Sequence, residues 1–190
     1  LNLSEALHLI TSEKPTIKKI DMALLNNRPI LLGFNIGILA RAVQSSTPEL
    51  KSNIGQLAYG LNAIKRLGKS RNVRYRLTLD GKPIRMEGVA LFVVNIGNVG
   101  FTGFSLLPQV SVTDGLLDVI LIEEINLASF MTWLKSSFTR EMPDSSFRHW
   151  QARKIIIGLP RDQAIICDDE SLAGTSFRIK AVKGALRVIV

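Results

Sequence analysis

From Val73 to Leu79 the apolar residues Val73, Tyr75, Leu77 and Leu79 alternate with Arg74, Arg76 and Thr78. A period of two sends successive side chains to opposite sides of an extended chain, so this segment is a strand with one buried face. Asp80-Gly81 follows, a dipeptide suited to a tight hairpin turn, and Ile84 and Met86 resume the alternation on the way back. The acid in this turn is read as ordinary hairpin chemistry with nothing to reinforce it. A lone hairpin is not stable in water, so its apolar face demands a second layer.

The rest of the chain offers strands for that layer. Residues 16–25 and 30–34 are predicted as two strands joined through Asn26, Asn27, Arg28 and Pro29. Residues 89–94 read as a fully apolar strand and 116–122 as another. A further strand is predicted over 150–159, around the run Ile155, Ile156, Ile157. Residues 164–167 lead into a group of acids, and 177–182 with 185–190 are predicted as a closing hairpin across Lys183-Gly184. Helical spacing is rarer. Ser4 opens a short amphipathic stretch that Pro15 ends. Residues 48–67 carry Leu50, Ile54, Leu57, Leu61 and Ile64 on one face, with Thr47 as cap and Gly68 at the end. A helix is also predicted over 127–138. Strands joined by short turns outnumber helices. The fold class is therefore mainly β (α+β), an antiparallel β-sandwich-like or barrel-like domain with a few helices, not a doubly wound sheet.

The 190 residues fit one domain, and 46% hydrophobic content is enough for a core. Lys plus Arg number 24 against 16 Asp plus Glu, a formal charge of +8 that favours an anionic partner. Only 6% of residues are aromatic, which argues against base stacking and hence against nucleic acid. Cys167 is the sole cysteine, so no internal disulfide forms and a reducing, cytoplasmic setting is expected. His8 and His149 stand in no ligand spacing. No apolar run is long enough to span a bilayer, and residues 1–10 lack the features of a signal peptide. The chain begins with Leu and reads as part of something longer.

Four places could carry chemistry. Asp168-Asp169-Glu170 follows an apolar run; extended geometry would put Asp168 and Glu170 on one face as base or metal ligand, against the simpler reading of a solvated turn. Asp114-Gly115-Leu116-Leu117-Asp118 offers a carboxylate and nearby carbonyls to a hard cation, or else a plain turn into a strand. The loop from Asn95 to Gly103 follows an apolar strand and has neither a Walker nor a dinucleotide pattern. Asn35, after Gly33 and Phe34, could bind a ligand or cap a following helix. Two sets of basic residues, Arg74, Arg76, Lys82 and Arg85, and Arg178, Lys180 and Arg187, suit a solvated face or an anionic surface.

Taken in order, these segments resemble a known family. The Gly33-Phe34-Asn35 loop, the long helix, the basic hairpin, Pro108, Asp114-Gly115-Leu116-Leu117-Asp118-Val119, the acidic turn with Leu172, Gly174 and Phe177, and Gly184-Ala185-Leu186-Arg187 are similar to the C-terminal domain of bacterial diacylglycerol kinase-like lipid kinases, the family that includes sphingosine and ceramide kinases. The likeness covers nearly the whole chain, from about Leu3.

The resemblance implies a single C-terminal domain over 1–190, within which residues 1–14 form a linker helix. The ATP-binding domain, with its Gly-Gly-Asp-Gly-Thr loop, is not among these residues, so the chain alone is expected to be inactive. It implies Asp168 as the catalytic proton acceptor with Glu170 beside it, and Asp169 where the family has glycine. It implies a Mg2+ site from the Asp114 carboxylate with Ser111 and Leu116 at backbone-ligand positions, and a nucleotide-side role for Asn35. The implied partners are ATP and a lipid substrate at an anionic membrane surface, met by peripheral association, with a homodimer as an option. Phosphoryl transfer relies on positioning and charge neutralisation, and a free aspartate is a weak base at neutral pH, so orientation of the hydroxyl counts as much as proton removal. The alternatives are an NAD kinase-like enzyme and a non-catalytic lipid- or anion-binding module.

Overall fold

A computed structural model describes residues 3–12, 15–37, 40, 72–96, 110–124, 147–168 and 170–189. The helices predicted over 48–67 and 127–138 lie outside the described residues, as does Asp169. Helix α1 (Leu3–Thr11) is followed by β1 (Ile17–Leu25), β2 (Arg28–Ile30) and β3 (Gly33–Gly37). Next come β4 (Val73–Leu79), β5 (Lys82–Gly88), β6 (Ala90–Val94) and β7 (Leu117–Ile122). The last are β8 (Phe147–Ala152), β9 (Lys154–Gly158), β10 (Ile165–Cys167), β11 (Glu170–Leu172) and β12 (Ser176–Ile189).

They form two six-stranded antiparallel sheets, ordered β2-β1-β12-β9-β4-β5 and β11-β10-β3-β6-β7-β8. The β4–β5 hairpin pairs as its alternation requires, and Asp80 and Gly81 both have positive φ, the backbone of a type I′ turn. The inward residues Tyr75, Leu77, Ile155, Ile157 and Ile179 of the first sheet pack on Phe34, Ile36, Leu91, Val119 and Leu121 of the second. Phe34 and Phe177 meet with ring centroids 5.0 Å apart at 53°, a favourable tilted aromatic pair. The mainly-β sandwich is thus the architecture observed.

The continuous apolar runs have a simple cause. On the other side of the second sheet Val89, Ala90, Phe92, Val94, Ile120 and Ile122 form a separate buried cluster. Strands β6 and β7 are therefore buried on both faces and lose the alternation that a half-exposed strand keeps.

Four predicted strands have other shapes. Residues 30–34 are not one strand. The chain leaves the first sheet after Ile30, bends at Leu31 and Leu32, and enters the second as β3. Likewise 150–159 splits at Arg153 into β8 in the second sheet and β9 in the first. The Asp80 carboxylate accepts the Arg153 and Lys154 N–H groups at that corner, so this turn acid is reinforced after all. The closing hairpin is instead one fourteen-residue strand, β12, lying along β1.

Lys183-Gly184 makes a bulge in β12 rather than a reversal. Ile20 pairs with Leu186 and Met22 with Val182, so three residues of β12 oppose the single residue Asp21. Gly184 takes a positive φ and donates its N–H to Asp21 Oδ1 at 2.8 Å. Bulges of this kind bend a strand and raise its twist.

Gly37 has a φ of +97°, and a Cβ there would come 2.5 Å from the Val89 carbonyl oxygen. Gly81 shares the positive φ but has open space around it. Gly37→Ala should cost more than the roughly 1–2 kcal/mol expected for Gly81→Ala, read as a larger drop in urea midpoint. Equal losses would mean the close approach at Gly37 is relieved by backbone movement. Asp21→Ala should cost about 3 kcal/mol, because it strands N–H groups that now bond a buried carboxylate, and the same denaturation curves measure it.

Candidate functional site

Asp168 follows β10 in the two-residue turn to β11, where Cys167 pairs with Glu170. Its φ is +52°, a left-handed conformation that Asp tolerates better than most residues. Its carboxylate faces the bend at which the chain crosses between the sheets. The Leu31 N–H donates to Oδ2 at 2.9 Å, and the Leu32 and Gly33 N–H groups donate to Oδ1 at 2.9 and 3.0 Å. The Asp168 N–H donates to the Gly33 carbonyl at 2.9 Å. A chain leaving one sheet for another gives up ladder partners, and this carboxylate supplies acceptors in their place.

Glu170 points elsewhere, to an ion pair with Arg28 of β2. The pair is about half exposed, so it adds little stability. The hydrogen bond and charge of Glu170 hold the Arg28 guanidinium above its ordinary value. The expected same-face pairing of Asp168 and Glu170 does not occur. Alternation applies to an extended segment, and these two residues flank a reversal. Just before the turn, burial and then the neighbouring Asp168 charge push the Cys167 thiol up to about 11. It stays protonated and poorly nucleophilic near neutral pH.

The Asp114 segment folds as a loop before β7. Asp114 Oδ1 accepts the Leu116 N–H at 2.9 Å, and Ser111 Oγ accepts the Thr113 N–H at 3.3 Å. Gly115 has a φ of +80° and donates to Asp21 Oδ2 at 2.6 Å. Asp21, only 1% exposed, also donates its own N–H to the Val112 carbonyl at 2.7 Å. One buried carboxylate thus fastens both this loop and the β12 bulge.

Asn95 joins that arrangement to the acidic turn. Its Nδ2 donates to the Asp21 carbonyl at 2.9 Å and the Leu31 carbonyl at 3.1 Å. Its N–H donates to the Leu32 carbonyl at 3.1 Å. A continuous hydrogen-bonded path therefore runs from Asp168 through the crossover, Asn95 and Asp21 to the loop of Asp114. Sequence reasoning assigned no role to Asp21 and named Asn95 only as part of a loop. A signal for Asp21 was present: it shares the strand parity of Ala23 and Leu25, so an acid falls on the core-facing side of β1.

The Ser111, Asp114 and Leu116 positions offer oxygen donors only, the kind a hard cation takes. No group of three or more His, Cys, Asp or Glu side chains gathers among the described residues, so a cation here would rely on one carboxylate, carbonyl oxygens and water. The donor set fits magnesium in kind. Asn35 sits inside β3, opposite Phe92 on β6 and Ile166 on β10, so it is no helix cap. Its Oδ1 is buried and has no hydrogen-bond partner among the described residues.

Comparison with known proteins agrees with this architecture. A protein of uncharacterized function from Synechocystis is 25% identical over 183 residues, covering 94% of this chain and 42% of the relative. A Salmonella arizonae protein named "Probable lipid kinase YegS" is 28% identical over 174 residues, covering 89% of this chain and 56% of the relative. The chain thus spans about half the length of the curated relatives it matches. A crystal structure of a diacylglycerol kinase-like protein from Bacillus anthracis superposes with a TM-score of 0.76 at 25% identity, covering 99% of this chain and 61% of that one. Residues 35–190 match the family described as the YegS C-terminal NAD kinase beta sandwich-like domain. The chain belongs to that family.

Proposed function

We propose that this domain is the acceptor-side, catalytic-acid part of an ATP-dependent lipid kinase that phosphorylates a lipid hydroxyl of the diacylglycerol or sphingoid type. The observation that carries the reading is the Asp168 carboxylate, held at the edge of the second sheet by three backbone N–H groups. A group that must orient a hydroxyl gains from a fixed position, since misplacement by about 1 Å can cost two orders of magnitude in rate. Oδ2 accepts one of the three N–H groups, and its second lone pair is the one we assign to the acceptor hydroxyl. Asp168 would hold that hydroxyl and take its proton as the hydroxyl oxygen bonds to the γ-phosphorus of ATP, the bond from that phosphorus to the β–γ bridging oxygen breaks and ADP leaves. Glu170, tethered by Arg28, would keep the turn in place.

Asp114, with the carbonyls of Ser111 and Leu116, would hold magnesium, which supplies positive charge that fixes this loop. Through Gly115, Asp21 and Asn95 the loop then bears on the crossover that orients Asp168. In this reading ATP is bound chiefly by protein outside these 190 residues, and the chain by itself transfers no phosphate. The names of relatives support the kinase class: the Salmonella protein is named a probable lipid kinase, and the match of residues 35–190 to an NAD kinase beta sandwich-like domain makes NAD the control acceptor.

The test is transfer of labelled γ-phosphate by the full-length protein to diacylglycerol, sphingoid bases, ceramide and NAD. Transfer to a lipid supports the proposal, and transfer to NAD alone, or to nothing, ends it. Asp168→Asn should lower kcat by roughly 10²–10⁴-fold. A pure binding module would be indifferent to this change. A merely structural Asp168 would lower the melting temperature in step with activity, so both are measured. Millimolar magnesium should raise the melting temperature of the unaltered protein but not that of Asp114→Ala. A rise that persists in the variant would place the cation elsewhere.

A further inference from the structure

The side of the first sheet that faces away from the core gathers basic residues from distant parts of the chain. Arg178 and Lys180 of β12, Lys154 of β9 and Arg76 of β4 alternate with buried residues and are exposed. Lys180 lies directly opposite Lys154, and Leu24 of β1 flanks it on the other side. Arg178 lies opposite Ile156. Opposed side chains in an antiparallel pair start about 5 Å apart at Cβ, and like charges there repel. Among the described residues Lys154, Arg178 and Lys180 form no ion pair. The nearby Asp80 carboxylate is engaged by the N–H groups of Arg153 and Lys154.

This patch is concave. Asn26 and Asn27, both with positive φ, reverse the chain between β1 and β2. Asn26 folds onto Arg178, donating to its carbonyl at 2.8 Å and accepting its N–H at 3.0 Å. The turn and the three cations line an open cleft of about 500 Å3, together with Leu24 and Ile156. Ile156 is 44% exposed and sits in the midst of the charges. Three cations with no ion-pair partner among the described residues favour an anion. An exposed isoleucine among them selects an anion that carries apolar matter with it.

We propose that this cleft docks the phosphate head groups of an anionic phospholipid bilayer, with Lys154, Arg178 and Lys180 on the phosphates and Ile156 at the boundary with the acyl chains. The choice of lipid over a free anion rests partly on the lipid-kinase reading, which the proposal deepens by assigning the face that meets the membrane. The position suits that role. Arg28, which pairs with Glu170, directly follows the Asn26-Asn27 turn, and Leu31 to Gly33 on the same segment hold Asp168. A head group in the cleft would therefore lie one short strand from the proposed catalytic carboxylate.

The experiment is sedimentation of the full-length protein with vesicles of phosphatidylcholine alone or mixed with phosphatidylglycerol. The unaltered protein should bind the mixed vesicles, and added salt should release it. Lys154→Gln with Lys180→Gln should weaken binding about 25-fold, at roughly fivefold per cation. Ile156→Ser should weaken it a few-fold with no change in salt dependence. The charge-matched pair Arg148→Gln, on β8 of the second sheet, with Arg161→Gln, neither residue lining the cleft, should bind as before; an equal loss there would show that net charge alone drives binding and overturn the site. If inorganic phosphate raises the melting temperature of the unaltered protein while the Lys154 and Lys180 variant binds vesicles normally, the cleft takes a soluble phosphate and the lipid assignment is wrong. Melting curves verify folding, and Lys180→Gln alone, with its fivefold expectation, serves if the double variant unfolds. Kinase activity on detergent-dispersed lipid should be unchanged in the Lys154 and Lys180 variant. Absence of any kinase activity would remove the enzymatic reading and leave the vesicle result to stand or fall by itself.

Discussion

The Asp168 carboxylate and the three N–H groups it accepts are the constraint around which the rest is arranged. A two-sheet sandwich needs its chain to cross between layers, and each crossing strips backbone groups of ladder partners. At Leu31 to Gly33 the replacement acceptor comes from a turn 135 or more residues further along the chain. The same bonds that close the sandwich immobilise a carboxylate at its rim. Structure and proposed chemistry therefore draw on one side chain, so its substitution has to be read for both.

Asp21 repeats the device inside the fold. A buried carboxylate is costly unless its oxygens are bonded. Here the donors are the Gly115 and Gly184 N–H groups, each at a glycine with positive φ. The bulge in β12 exists on these terms: extra residues are accommodated because one of them satisfies the acid opposite. Asn95 then connects the Asp21 and Leu31 carbonyls, so the loop of Asp114 and the turn of Asp168 are mechanically joined although 54 positions separate them. The hydrogen bonds explain what the order of these segments accomplishes.

Much of the layer architecture was legible because burial on one face writes a period of two. The β4–β5 hairpin is the clearest case, since alternation and Asp80-Gly81 point to one register. The breaks at Leu31 and Arg153 were illegible for a matching reason. The apolar run continues through Leu31 and Leu32, and at Arg153 two charged residues without glycine, proline or asparagine separate Ala152 from Ile155, so neither break carries a turn signal. Lys183-Gly184 misled because a glycine with positive φ serves a bulge as well as a hairpin, and only the presence of Asp21 across the strand decides between them. The acidic turn stood out as three adjacent acids, but their alternation misassigned the pair: a reversal, not an extended segment, sets their directions.

Sequence alone determined the mainly-β class, the candidate acids and their order along the chain, because periodicity and composition are local properties of the polymer. Tertiary structure decided what each acid faces. Asp168 turns to the crossover, Glu170 to Arg28, Asp21 to two glycines, and Lys154, Arg178 and Lys180 converge on one cleft. Those choices depend on which strands lie side by side, and strand neighbours are set by packing two sheets into a single core rather than by any residue's immediate surroundings.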